Sequence, residues 1–177
     1  LSLVARTGAD APGTETGVVF NNLHDPVFSD NSQTAFRGTL SGPGVDNTNL
    51  SAIWSEGSGS LQLVARQGSQ ATGAGPEAIF LSFNEDPIIN GRGQTAFRAR
   101  MRMGDSGELI GGIWATDLSG NLQLVVREGD YFDVDDHPLR YDLRVISSID
   151  LPNTDFLSSA FNDLGQLTFT LRFTDGS

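Results

Sequence analysis

The sequence predicts an all-β, β-propeller-like protein of three repeats of about 60 residues, each with four antiparallel strands. Three observations carry that reading. A strand motif returns at near-constant spacing, from Leu1-Ser-Leu-Val-Ala-Arg6-Thr-Gly8 to Leu61-Gln-Leu-Val-Ala-Arg66-Gln-Gly68 and Leu122-Gln-Leu-Val-Val-Arg127-Glu-Gly129. Short apolar runs rich in Val, Ile, Phe and Thr alternate with clusters of Gly, Asn, Asp and Ser, the pattern of strands joined by tight turns. No stretch has the periodicity of a long amphipathic helix.

Within the repeat, the order of elements is constant. Asp25-Pro26 returns as Asp86-Pro87, Gln33-Thr-Ala-Phe-Arg37 as Gln94-Thr-Ala-Phe-Arg98, and Ile53-Trp54 as Ile113-Trp114. Gln166-Leu-Thr-Phe-Thr170 is a looser third copy. Period-2 alternation in the second unit places strands at roughly 79–89, 94–102, 110–116 and 121–127. On the second of these, Thr95, Phe97 and Ala99 face one way and Ala96, Arg98 and Arg100 the other. Asn90-Gly-Arg-Gly93 is its entry turn, with glycines for positive φ. A four-stranded sheet cannot bury both faces alone, so neighbouring units must stack. The chain reads as one domain, 1–177, with units at about 1–60, 61–121 and 122–177. Three units fall short of the usual four to eight blades, so closure by dimerisation into a six-bladed ring is one expectation. The other is a processed or excised piece of a longer array, because the chain starts directly on a strand pattern without a leader and ends where an Ile-Trp strand is due.

Composition narrows the partners. With 38% hydrophobic and 19% charged residues the chain should fold. Twenty-two acids against eleven bases give a net charge of −11, which disfavours nucleic acid and anionic lipid surfaces. All eleven bases are arginine, a fact with no functional reading. There is no cysteine, hence neither a disulfide framework nor a thiolate metal site. No apolar run approaches the ~18 residues of a spanning helix.

The pattern Asp-Pro-x-x-Asn-x-x-Gly-Gln-x-Ala-Phe-Arg, followed by Gly-Ile-Trp and Leu-x-Leu-Val-Ala-Arg-x-Gly, resembles bacterial secreted repeat proteins with an N-x-x-G-Q-x-A-F signature, commonly attached to a C-terminal surface-sorting anchor. The resemblance covers nearly the whole chain, and the first copy departs from it at Ser29-Asp-Asn-Ser32. It implies an extracellular, cell-surface or periplasmic location and supplies no catalytic residue.

The third unit carries an insertion between Arg127 and Gln166, and its acids Asp133, Asp135 and Asp136 are the candidate ligands for a calcium ion, since hard cations take clustered carboxylates. The run lacks the glycine and distal glutamate of an EF-hand loop, so a solvated acidic loop is the plainer expectation. His24 and His137 stand beside acids but have no second imidazole at ligand spacing. Asp25 and Asp86 are expected as structural ties, paired between units with the strand-end arginines Arg6, Arg66 and Arg127. Trp54 and Trp114 are expected in the core, and the loops at 9–15 and 70–77 on a binding face. The function expected is a non-catalytic binding or structural repeat module whose partner is a protein, a polysaccharide or a second copy. A glycan-acting hydrolase or lyase with acids on a propeller axis is the alternative, as is a unit that only completes a ring.

Overall fold

In the computed structural model, which describes residues 2–104, 106–135, 137, 139–152 and 160–176, the described residues form antiparallel sheets joined by turns and loops, with no helix among them. The first sheet contains β1 (Val19–Leu23), β2 (Val27–Phe28), β3 (Thr34–Ser41), β4 (Ser51–Ser55) and β5 (Gln62–Arg66). The second contains β6 (Ala78–Ser82), β7 (Ile88–Ile89), β8 (Thr95–Met103), β9 (Glu108–Thr116) and β10 (Leu122–Arg127). Their spatial orders, β1-β3-β4-β5 and β6-β8-β9-β10, are the same meander. The strand expected at 79–89 is two strands, because Asp86-Pro87 interrupts the ladder; β6 and β7 pair with opposite ends of β8.

Equivalence extends to irregularities. A bulge falls between Phe20 and Asn22 in the first sheet, between Phe80 and Ser82 in the second, and between Ile146 and Ser148 in the third. Each lets one extra residue leave the ladder where the inner strand bends. The third sheet departs from the expected four strands: among the described residues it is β11 (Tyr131–Asp133), β12 (Leu143–Asp150) and β13 (Thr170–Phe173), in that order. The insertion falls on either side of β12, between β11 and β12 and between β12 and β13.

Successive sheets share strands at their margins. After β5 the chain passes Gly68 and pairs with β6, through Gly68 N–H to Phe80 O at 2.8 Å and Ala71 N–H to Ala78 O at 2.8 Å. Gly8 N–H to Phe20 O and Gly129 N–H to Ile146 O repeat that crossing at the other two sheets. Arg-x-Gly is therefore the point where one sheet's last strand hands over to the next sheet's first.

The alternation read from the sequence places the core between sheets. Phe97, Ala99 and Met101 join Phe80 and Trp114 against Ile53 and Ala65 of the first sheet. The opposite face, Ala96, Ile113 and Val126, packs on Ile146, Ile149 and Phe161. Trp54 and Trp114 are fully buried, as expected, each edge-on to the inner phenylalanine (Phe20 or Phe80, centroids 4.9 Å) and stacked on the next (Phe36 at 5.9 Å, Phe97 at 6.2 Å). Their indole N–H groups donate to the crossing segment, Trp54 to Pro12 O at 3.1 Å and Trp114 to Thr72 O at 2.8 Å. Truncation leaves a large dry void and an unpaired carbonyl. Trp114→Ala should cost about 3–5 kcal/mol of unfolding free energy by denaturant titration.

Candidate functional site

The signature Asn-x-x-Gly-Gln builds one turn three times. Asn90 Oδ1 accepts from Arg92 N–H (3.1 Å) and Gln94 N–H (2.9 Å), and its amide reaches Gln94 Oε1. Asn162 does the same with Leu164, Gln166 and the Gln166 side chain. In the first copy Ser29 Oγ takes over, accepting from Gln33 N–H at 3.1 Å. Gly93 and Gly165 both have φ 80°, and Ser32 in the matching place has φ 62°, the left-handed region that costs a side chain roughly 1 kcal/mol. Gly91, expected to need positive φ, does not; it is small because a Cβ there would lie 2.7 Å from the Asp163 carboxylate.

These turns form a column across the three sheets. Asn31 Nδ2 donates to Gly91 O, Asn90 Nδ2 to Asn162 O at 2.9 Å, and Gly91 N–H to Asp163 Oδ1 at 2.6 Å. Ser55 Oγ and Thr95 Oγ1, both buried, bond each other at 2.7 Å from facing sheets. Below the column, Arg37 reaches across to Asp86 (Nε to Oδ1, 3.3 Å) and to Phe83 O (3.1 Å), and contacts His24 Nδ1 within its own sheet at 3.3 Å.

The expected arginine partners of the repeated aspartates are thus corrected. Arg66 pairs with Glu15 at 2.7 Å and Arg127 with Asp130 at 2.8 Å; the tie to Asp86 comes from Arg37, because that side chain leaves β3 on the face toward the second sheet. Arg98, its counterpart, bonds Glu85 at 2.9 Å within its own sheet. The loops expected as a binding face carry part of the core: Ala11, Ala71 and Ala74 are buried, and Pro12 and Thr72 cap the tryptophans.

Of the proposed calcium ligands, Asp136 lies outside the described residues. Asp133 Oδ1 accepts from Asp135 N–H (3.1 Å) and Asp142 N–H (2.9 Å), and Asp135 Oδ1 accepts from His137 N–H (2.9 Å). These are turn-closing bonds, and among the described residues no group of three or more His, Asp or Glu is placed to hold a metal ion. His24 and His137 lie at opposite ends of the stack, in the first sheet and the 134–142 loop. A concavity of about 260 Å³ lies between the first two sheets beside the turn column, lined in part by Ser58, Arg92, Asp117 and Ser119. Asp117 is occupied there by Ser119, Asn121 and Gln123, and these bonds hold its carboxyl below the usual range, with Asn121 contributing most.

A single family model matches residues 1–177 from end to end, that of a family of unknown function, DUF7453. The chain belongs to that family. No curated protein and no solved structure matches it. No helix among the described residues is long and apolar enough to cross a membrane.

Two measurements check these geometries. Ser32→Gly should raise stability by about 1 kcal/mol, read from the denaturant midpoint, by relieving the left-handed serine. Hydrogen bonding from Arg66, then from its own backbone, lowers the Glu15 pKa. A lowered folded value means that this pair's contribution is present above the ordinary glutamate range and is lost as pH falls through the folded value. Melting temperature from pH 6 to pH 3 should therefore drop less in Glu15→Gln than in the parent chain.

Proposed function

We propose that this chain is a non-catalytic, extracytoplasmic repeat module, a propeller-like stack of sheets that binds or scaffolds a protein or polysaccharide partner. The observation that supports it is where the repeated polar residues are spent. Asn90, Asp163, Arg37 and Asp86 each bond a neighbouring unit, while Gln94 closes its own sheet on Thr116 O. Groups so engaged hold one sheet on the next, a structural use of the repeated polar residues. A surface location follows from the resemblance to secreted repeat proteins, and the net charge of −11 suits a soluble, non-adhesive exterior.

The column of turns gives such a module a rigid spine from which loops can vary. In the first two units the groove beside Arg92 is the best-formed contact surface, because both its walls are anchored by the Ser55–Thr95 bond.

Incubation with a panel of neutral and acidic polysaccharides, followed by assay of released reducing ends, should give no release above buffer. Saturable release would overturn the non-catalytic reading. Retention of the chain on one polysaccharide or one envelope protein, weakened several-fold by Arg92→Ala, is the expected positive result.

A further inference from the structure

Three of the chain's arginines form a row on one side of the second sheet. Arg98, Arg100 and Arg102 alternate along β8 on the side that carries Ala96 and turns to the third sheet, while Phe97, Ala99 and Met101 fill the core behind them. Alternate residues of a strand stand about 6.7 Å apart, so the three guanidinium groups are evenly spaced along it. The repeat does not require this row. Counting from Gln33 in place of Gln94, the first sheet has Arg37, Thr39 and Ser41 at the same places.

The row is short of acceptors. Arg37 uses its Nε on Asp86, whereas the Nε of Arg98 is buried without a partner and its Nη1 donates to Glu85. Arg100 and Arg102 are exposed and make no side-chain hydrogen bond or ion pair among the described residues, in a chain with 22 acids and 11 bases. Arg100 stands across from Gly111 and Ser82, and Arg102 across from Leu109 and Ile79. A Cβ on Gly111 would lie 2.6 Å from the Glu128 carboxylate, which accepts from the Gly111 N–H at 2.7 Å rather than from either arginine. Gln67 makes the same bond in the first sheet, accepting from Ser51 N–H at 3.2 Å. Solvent reaches this side of the strand beside a five-stranded neighbour too, since Thr39 and Ser41 face the second sheet and are only half-buried.

We propose that Arg100 and Arg102, with Arg98 at the end nearer the turn column, bind the carboxylates of an acidic polysaccharide, a linear polymer of uronic acid units. Guanidinium and carboxylate are planar, two-point partners, and a row of the one suits a polymer that carries the other at regular intervals. β8 is a central strand paired on both sides by β6 and β9, so an extended peptide finds no free backbone there to pair with. None of the residues across from the row is aromatic, which leaves a nucleobase nothing to stack on. The net charge of −11 opposes dense polyanions, but at physiological salt it is screened beyond about 8 Å, so a sparsely charged polymer at the row meets mainly the guanidinium groups. The proposal rests on the polysaccharide-binding reading above and names its ligand, yet the two fail separately. Retention through Arg92 alone keeps that reading and overturns this one, whereas cleavage of the polymer overturns that reading and leaves the row as its anchor.

The probe is polygalacturonate, titrated into the full chain by calorimetry beside its methyl-esterified form and polyglutamate. Saturable binding to polygalacturonate is expected, about tenfold or more tighter than to either comparator. Arg100→Thr with Arg102→Ser installs the first sheet's residues and should weaken it about tenfold or more. Arg6→Ser with Arg140→Ser removes the same charge from exposed positions elsewhere and should bind like the parent. Glu128→Gln, which keeps an acceptor for Gly111 as Gln67 does for Ser51, should tighten binding severalfold. The near-ultraviolet signal of Trp54 and Trp114 reports that each variant is folded. Unchanged affinity in the Arg100 and Arg102 variant, equal affinity for the methyl ester or for polyglutamate, or no heat of binding at about 10 mM uronate overturns the proposal.

Discussion

Everything in this molecule depends on the burial of one apolar sheet face against the next, and the tryptophan at its centre sets the geometry. A four-stranded meander has too little area to hide both faces, so each sheet is stable only as a neighbour. Trp54 and Trp114 turn that general requirement into a register. Each ring spans the gap from its own strand to the crossing segment, and the indole N–H finds a carbonyl only when Gly8 or Gly68 has turned the chain onto the next inner strand. Stacking, crossing and register are thus one constraint.

Polar ties then fix what hydrophobic burial leaves free. Apolar faces can slide over one another at small cost, since the hydrophobic effect is non-directional. The turn column removes that freedom, because Asn90 must meet Asn162 O and Gly91 must meet the Asp163 carboxylate at hydrogen-bond distance. The space there is tight: a Cβ on Gly57 would fall 1.8 Å from Gly93 O, so the backbones of the first and second sheets are in direct contact at this end. Arg37 performs the same service midway along β3, satisfying Asp86 and Phe83 O together.

Much of the fold was legible because its information is periodic. The order of strands, the facing of Phe97 and Ala96 to opposite sides of their strand, and the buried tryptophans all follow from spacing and alternation. What the period could not supply was which polar residue meets which. Arg66 and Arg127 recur as regularly as Arg37 and Arg98, and recurrence alone cannot say that β5 directs its arginine to Glu15 while β3 sends Arg37 across to Asp86. Crowding of acids in sequence does not distinguish a cation cage from Asx turns, in which Asp133 and Asp135 bond nearby backbone N–H groups.

By itself the sequence determined that this chain is all-β, built of repeated antiparallel meanders, with Trp54 and Trp114 inside, because side-chain alternation and turn chemistry are local properties written every second residue. Only the tertiary structure decided that the signature turns stack into a column and that the segments after Gly8 and Gly68 cap the tryptophans. Those features join residues tens of positions apart, and the distance between such groups is set by how sheets pack rather than by how the chain runs.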